Sequence, residues 1–334
     1  VDPYGTHRSI EPRGALPQQA LVLDATSPLR EDEVAIDVEY LNIDSASWHQ
    51  LRSSTDGSAG AIAAEIQAIV AARGKMQNPV TGSGGMLVGR VAAVGAHRAT
   101  PSPGTRVATL VSLTATPLVL DEIVELDPAS EKVRVRGRAI LFGTGLYAVL
   151  PDDLDDTVAL GVLDVCGAPA WAARLVRPGS NVAVIGAGGK SGMLVCAQAA
   201  RAAGPNGRVL GLCWPEETAA AAKDAGAEAL IVDCTDPHAV LETVGEALEG
   251  DLADLVFVCA NVPGCEGGAI LACKDDGQIV FFSMATSFTA AALTAEALGK
   301  SCTMMIGNGY VPGHAELALD LVRSDARLVE RFQE

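Results

Sequence analysis

Two hydrophobic rhythms divide this chain. Over residues 1 to about 150 the apolar positions come in short runs punctuated by Gly and Pro, the pattern of strands and turns. Val34–Val38 alternates, Met86–Val94 and Arg106–Leu113 are apolar runs, and Val133–Arg136 alternates again. One helical stretch interrupts them, Gly60–Arg73, with Ile62, Ile66, Ile69 and Val70 on one face. From about residue 152 the period changes. Asp152–Val176 reads as helices, and then strands and helices alternate: Val182–Ile185, Met193–Ala203, Arg208–Cys213, Glu216–Ala225, Ala229–Val232, Pro237–Leu248, Asp254–Cys259, Glu266–Ala272 and Gln278–Ser283. A last strand, Cys302–Ile306, and helix, Gly313–Arg323, follow. Strand–helix alternation with short connectors predicts an α/β protein with a doubly wound parallel sheet behind a strand-rich first half.

The most specific local signal is the turn after the first strand of that sheet, NVAVIGAGGKSG over Asn181–Gly192. A β-prone run ends in Gly186-Ala187-Gly188-Gly189 and a helical pattern follows. Glycine lets the backbone approach a pyrophosphate, and a helix N-terminus presents unpaired N–H groups to it. The spacing is G-x-G-x-x-x-G, with Ser191 where the third glycine of G-x-G-x-x-G is expected. Gly189-Lys190-Ser191 also looks like the end of a triphosphate-binding loop. That loop needs a glycine where Val184 stands inside the strand, so it is set aside.

Ligands of such a sheet sit at the carboxyl ends of its strands. The candidate dinucleotide contacts are therefore Gly186, Gly188, Gly189, Lys190, Ser191 and Gly192, then Trp214, Asn261, Val262, Ser283, Met284 and Asn308. Ordinary turn chemistry is the competing reading for Asn261, Ser283 and Asn308. The acid that usually binds the NAD ribose, about 20 residues past the glycines, is replaced by Cys213-Trp214-Pro215. Glu216 and Glu217 follow, and no Arg or Lys is adjacent, so the pattern leaves NAD or NADP open.

Composition narrows the class. The chain has 334 residues, enough for two cored domains, and is 49% hydrophobic with 4% aromatics, as in a soluble globular protein. A net charge of −17 argues against nucleic acid or an anionic membrane as partner and suits a cationic ligand. The best candidate for a membrane span, Val158–Val176, is broken by Asp164, Pro169 and Arg174. No secretory pattern stands at Val1, and a cytoplasmic location is expected. All eight cysteines lie from Cys166 onward without a C-x-x-C pair, and the five histidines are scattered. Reduced, buried thiols are expected, with no metal-ligand spacing.

The order of motifs resembles a known superfamily. GSGGMLVGRVAAVG (82–95), PGTRVATL (103–110) and LPDDLDDTVALGVLDVCGAPAWAARLVRPGSNVAVIGAGGKSG (150–192) are similar to the medium-chain dehydrogenases/reductases. That resemblance implies a GroES-like catalytic domain over 1–151 and a Rossmann NAD(P)-binding domain over 152–310. It also implies a helical segment over 311–334 packing back near the junction, an active site between the domains, and a homodimer or larger homo-oligomer, with the last strand near Cys302–Ile306 as its candidate seam. Within the superfamily, YGTHRSIEPRGALPQ (4–18), LNIDSAS (41–47), GKMQNPVTGSGGML (74–87), ATLVSL (108–113), FFSMATSF (281–288) and IGNGY (306–310) resemble the L-erythro-3,5-diaminohexanoate dehydrogenase family. The resemblance implies oxidative deamination of a 3-amino group, giving 5-amino-3-oxohexanoate and ammonia with a nicotinamide coenzyme. The zinc enzymes of the superfamily place ligands near Asp44, Gly85 and Cys166 here. Gly85 has no donor and the four-cysteine zinc lobe is missing, so no zinc is expected.

Amine oxidation sets the remaining requirements. An alkylammonium lacks the lone pair that expels hydride, and its pKa lies near ~10, so a proton acceptor is needed. Asp44, in Asn42-Ile43-Asp44-Ser45, is the first candidate, with Ser45 beside it; the competing reading is a helix N-cap. Asp164 is the second, expected as a buried carboxylate facing either the substrate ammonium or a structural Arg. Lys190 is a candidate for a coenzyme phosphate or the substrate carboxylate. Gln77, Asn78, Thr81 and Ser83, with Lys75, form a polar loop that suits substrate, or is simply a polar loop. Tyr147, His7 and Arg8 complete the candidates.

Overall fold

A computed structural model of the chain describes residues 2–333. Contacts divide the chain into two compact units, Val1–Pro151 and Asp152–Glu334.

The first unit contains β1 (Ser9–Glu11), β2 (Val22–Leu23), β3 (Val34–Asn42), α1 (Ser45–Ser54), α2 (Ala59–Arg73), β4 (Met86–Val94), β5 (Arg106–Thr109), β6 (Leu118–Leu126), β7 (Lys132–Leu141) and β8 (Tyr147–Val149). Six strands form one antiparallel sheet in the order β6-β7-β3-β4-β5-β8. Alternate residues of β3 and β7 point into a core that α2 covers with Ile62, Ile66, Ile69 and Val70. Each such side chain contributes about 1.5–3 kcal/mol on burial, so packing rather than propensity holds α2. The periodicity located α2 and the longer strands. It did not reveal α1, whose sequence SASWHQLRSS buries only Ser47, Trp48 and Leu51, or β6, whose outer half is half-buried or exposed.

The second unit opens with α3 (Asp156–Leu163) and α4 (Gly167–Leu175). The sheet elements follow: β9 (Asn181–Ile185), α5 (Lys190–Ala203), β10 (Arg208–Cys213), α6 (Ala219–Asp224), β11 (Glu228–Ile231), α7 (Pro237–Ala247), β12 (Ala253–Val258), α8 (Glu266–Ala272), β13 (Cys273–Phe281), α9 (Phe288–Leu298) and β14 (Thr303–Ile306). The unit closes with α10 (His314–Arg323) and α11 (Ala326–Gln333). The strands are all parallel, in the order β11-β10-β9-β12-β13-β14. This is the doubly wound arrangement the alternation predicts, with its order reversing between β9 and β12. Apart from Asn181 and Asp254 near their starts, the central strands are apolar because helices cover both faces. α10 packs on α3, α4 and α5, and α11 on α3 and α10. Among the described residues no single helix is long and apolar enough to cross a membrane, and α3 and α4 meet at a 54° bend.

Candidate active site

The parallel sheet brings every strand end of the second unit to one edge. Gly186 ends β9 with φ +79°, and a Cβ there would lie 2.6 Å from the Ala260 nitrogen. The turns after β9 and β12 therefore touch, at the point where the strand order reverses. α5 then starts at Lys190 with Gly189 as its N-cap, and no side chain satisfies its first N–H groups. A bare helix N-terminus beside a glycine turn fits a pyrophosphate. Gly192 packs so closely that a Cβ would stand 2.2 Å from the Gly186 carbonyl oxygen. The position that must lack a side chain is thus Gly192 and not that of half-buried Ser191; the longer loop delays it by one residue. Gly188 is equally confined, since a Cβ there would stand 2.3 Å from the Thr218 oxygen, whereas Lys190 is exposed.

The other strand ends divide by what they already bind. Trp214, Asn261, Val262 and Met284 are exposed. Ser283 is buried and its Oγ accepts the Ala285 N–H at 3.1 Å. The Asn308 carbonyl accepts the Trp171 Nε1–H at 2.9 Å, and its side chain accepts the Tyr310 N–H at 3.4 Å. Ser283 and Asn308 thus serve their own turns. The end of β10 holds buried Cys213, and Glu216 and Glu217 are exposed just beyond. Burial raises the Cys213 thiol pKa and pushes that of Cys259 to about 12, so both stay protonated.

In the first unit the chain turns from β3 into α1 at Asp44. Its Oδ1 accepts the Ser47 N–H at 3.0 Å, capping the helix, and the Ser83 hydroxyl at 2.8 Å. Its Oδ2 is buried with no hydrogen-bond partner among the described residues. Gly85, at φ +105°, runs against this turn, and a Cβ there would meet the Asn42 oxygen at 2.0 Å and the Asp44 nitrogen at 2.8 Å. The Ser47 hydroxyl lies 2.9 Å from Thr81 Oγ1 and 2.8 Å from Ser83 Oγ, which are themselves 2.9 Å apart. Asn78 is buried and folds this loop, accepting the Val80 and Thr81 N–H groups and donating to Gln50 Oε1 at 2.6 Å. Gln77 bridges Arg73 and the Gly82 carbonyl.

Several expectations change. Ser45 is exposed at the start of α1, and Ser47, one turn into the helix, supplies the hydroxyl. The signal for it is the Asp44-x-x-Ser47 capping spacing. Asp164 is exposed, not buried: α3 stops at Leu163, and Asp164 is its C-cap at the bend into α4. Cys166 beyond it is buried, and burial, then Asp164 and Glu316, push its thiol to about 12. Lys75 is buried and donates to the carbonyls of Pro17 and Thr114 at 2.9 and 2.7 Å, which makes it a strap inside the unit. Tyr147 packs on the sheet core. Arg8 and His7 both reach buried Glu33, Arg8 through two bonds of 2.5 and 2.6 Å and His7 at 2.8 Å. Among the described residues no group of three His, Cys, Asp or Glu is placed to hold a metal ion.

Comparison with known proteins gives three results. A family described as L-erythro-3,5-diaminohexanoate dehydrogenase N-terminal domain matches residues 7–151. The L-erythro-3,5-diaminohexanoate dehydrogenases of Acetoanaerobium sticklandii and Fusobacterium nucleatum are each 46% identical to this chain, over 99% of it and 97% of theirs. Among solved structures, the Escherichia coli quinone oxidoreductase complexed with NADPH superposes with a TM-score of 0.57 at 14% identity, covering 95% of this chain and 91% of its own. A Pseudomonas syringae quinone oxidoreductase gives 0.57 at 17%, covering 92% and 88%. These two show the fold.

Proposed function

The chain belongs to the L-erythro-3,5-diaminohexanoate dehydrogenase family, and we propose that it oxidises the 3-amino group of that diamino acid to 5-amino-3-oxohexanoate and ammonia. The observation that carries this reading is the full-length likeness to two enzymes of that name. The site residues supply chemistry that suits it.

NAD or NADP, when bound, would supply the hydride acceptor for the carbon bearing the amine. The Gly186–Gly192 turn and the first N–H groups of α5 would hold its pyrophosphate, with exposed Lys190 within the same turn. Exposed Trp214, Asn261, Val262 and Met284 line the rest of that edge. The end of β10 carries neither the ribose-binding acid nor a cation for a 2′-phosphate, leaving Glu216 and Glu217 as the nearest acids. Asp44 receives the ammonium proton, because hydride leaves only from the free amine. The Thr81–Ser83 loop receives the substrate, while Asn78 shapes that loop. A homodimer or larger assembly, joined along the open edge of β14 with its exposed Ile306, belongs to the same reading, and equilibrium sedimentation checks it.

The test is coenzyme reduction, with NAD and with NADP, by L-erythro-3,5-diaminohexanoate, by simple β-amino acids, and in reverse by quinones and enones. Turnover of the diamino acid supports the reading. Coenzyme oxidation by quinones with no turnover of any β-amino acid overturns it in favour of a quinone or enoyl reductase; coenzyme binding without any turnover makes the chain a non-catalytic relative.

A further inference from the structure

The three hydroxyls beside Asp44 form a closed triangle, and counting their protons gives it a direction. A carboxylate only accepts hydrogen bonds, so the Ser83 proton is committed to Asp44 Oδ1, 2.8 Å away. Ser83 Oγ then faces Ser47 and Thr81 as an acceptor. With Thr81 donating to Ser47 and Ser47 to Ser83, the two remaining protons fill two of the triangle's three edges of 2.8–2.9 Å. In this arrangement every hydroxyl proton is used inward. Whatever docks on the outer corner meets oxygen lone pairs alone, and the group that matches is a pure donor, such as a primary ammonium.

The corners differ in exposure. Ser47 is fully buried, Ser83 is half-buried and Thr81 is exposed. Thr81 Oγ1 also accepts the Ser83 N–H at 3.3 Å, which leaves it one lone pair for an outside donor. Asp44, at the inner end, has one saturated oxygen and one buried oxygen without a partner. The ionisable side chains on the elements around it are His49 and Arg52 on α1, Arg73 and Lys75 before the loop, and Glu131 and Lys132 where β7 pairs with the end of β3. None forms an ion pair with Asp44 among the described residues.

We propose that Thr81, Ser47 and Ser83 are a proton path that takes a proton from the substrate ammonium at Thr81 and delivers it to Asp44. The inference rests on the amine-oxidising reading above. One N–H bond of the ammonium breaks as the Thr81 oxygen gains a proton. Thr81 passes its own proton to Ser47, Ser47 to Ser83, and Ser83 to Oδ1 of Asp44. The amine keeps its electron pair, the carboxylate becomes a carboxylic acid, and all the hydrogen bonds reverse. Asp44 later returns the proton to water. Thr81 touches the substrate; Ser47 and Ser83 act through it and are positioning residues.

The experiment compares kcat/KM for L-erythro-3,5-diaminohexanoate across pH in the wild type, Ser47→Ala, Thr81→Val and Thr81→Ser. Without the path only the free amine reacts. Ser47→Ala and Thr81→Val should lose about 10²-fold near pH 7 and approach wild type near the amine pKa of about 10, while Thr81→Ser keeps the wild-type profile. Exposed Thr81 tolerates substitution, so that pair answers even where Ser47→Ala fails to fold. Curves lowered by one constant factor at every pH, or left unchanged, overturn the path. A wild type with no turnover of the diamino acid overturns the reading beneath it as well.

Discussion

Asp44 does two things with one oxygen: Oδ1 caps α1 and accepts the Ser83 hydroxyl. Substitution separates these roles, because Asn caps a helix about as well as Asp but cannot take a proton. Asp44→Asn should therefore keep the melting temperature close to wild type while kcat falls about 10²–10⁴-fold; an unchanged kcat would leave Asp44 as a cap alone. Glu33 is a different kind of buried acid. Burial pushes its carboxyl up, but the Arg8 guanidinium, the Arg30 N–H and His7 outweigh burial and hold it below its ordinary value. A lowered folded pKa gives stability that is present above the unfolded value of about 4.3 and is lost as pH falls through the folded one. Denaturant unfolding should show a loss of stability below about pH 4. Glu33→Gln should cost about 3–5 kcal/mol at neutral pH, through the unpaired Arg8 it leaves, and remove that part of the acid slope. An equal acid slope in the variant would place the sensitivity elsewhere. His7 and Arg8 looked like site residues only through their motif. A conserved-looking stretch and a buried ion pair are indistinguishable in one sequence, because the partner stands 25 or 26 residues away.

At the scale of the element, the β9–α5 turn is the part whose chemistry follows most directly from geometry. The strand, the turn and the helix were all legible, since apolar period and glycine placement agree there. Which glycine could not be replaced was not, because loop length decides where helix and strand touch. Gly192→Ala pushes a Cβ to 2.2 Å from a backbone oxygen, whereas a Cβ on Gly189 meets only the Gly186 oxygen, at 3.6 Å. Gly192→Ala should cost about 1–3 kcal/mol of stability and weaken coenzyme binding by about tenfold or more, while Gly189→Ala, which crowds no protein atom, should cost under about 1 kcal/mol of stability as a poorer N-cap; denaturant unfolding and calorimetric titration with NAD and NADP read the difference. Equal effects of the two substitutions would count against the close approach. α1 and α9 escaped the sequence pattern for a physical reason: α1 buries few apolar positions, and α9, FTAAALTAEAL, is so rich in Ala that it has no distinct apolar stripe, burying only Ala291 and Ala295.

For the molecule as a whole, the sequence carried the fold class because both units repeat one pattern many times: alternating strands in the first, strand–helix pairs in the second. It carried the site less well. The Asp44 cluster joins residues up to 39 positions apart, and a lone Ser47 gives no hint that its hydroxyl will meet a loop beyond α2. Burial at Asp164 was likewise expected from an apolar run, but the helix ends there and the residue is exposed. A net charge of −17 is consistent with a small cationic substrate. Removal of an amine by hydride transfer is the reaction proposed for this chain, and a product balance tests it most directly. With L-erythro-3,5-diaminohexanoate deuterated at C3, one ammonia should be released for each coenzyme reduced, with the deuterium carried onto the reduced nicotinamide. Coenzyme reduction without ammonia, or deuterium left on the carbon product, would contradict it.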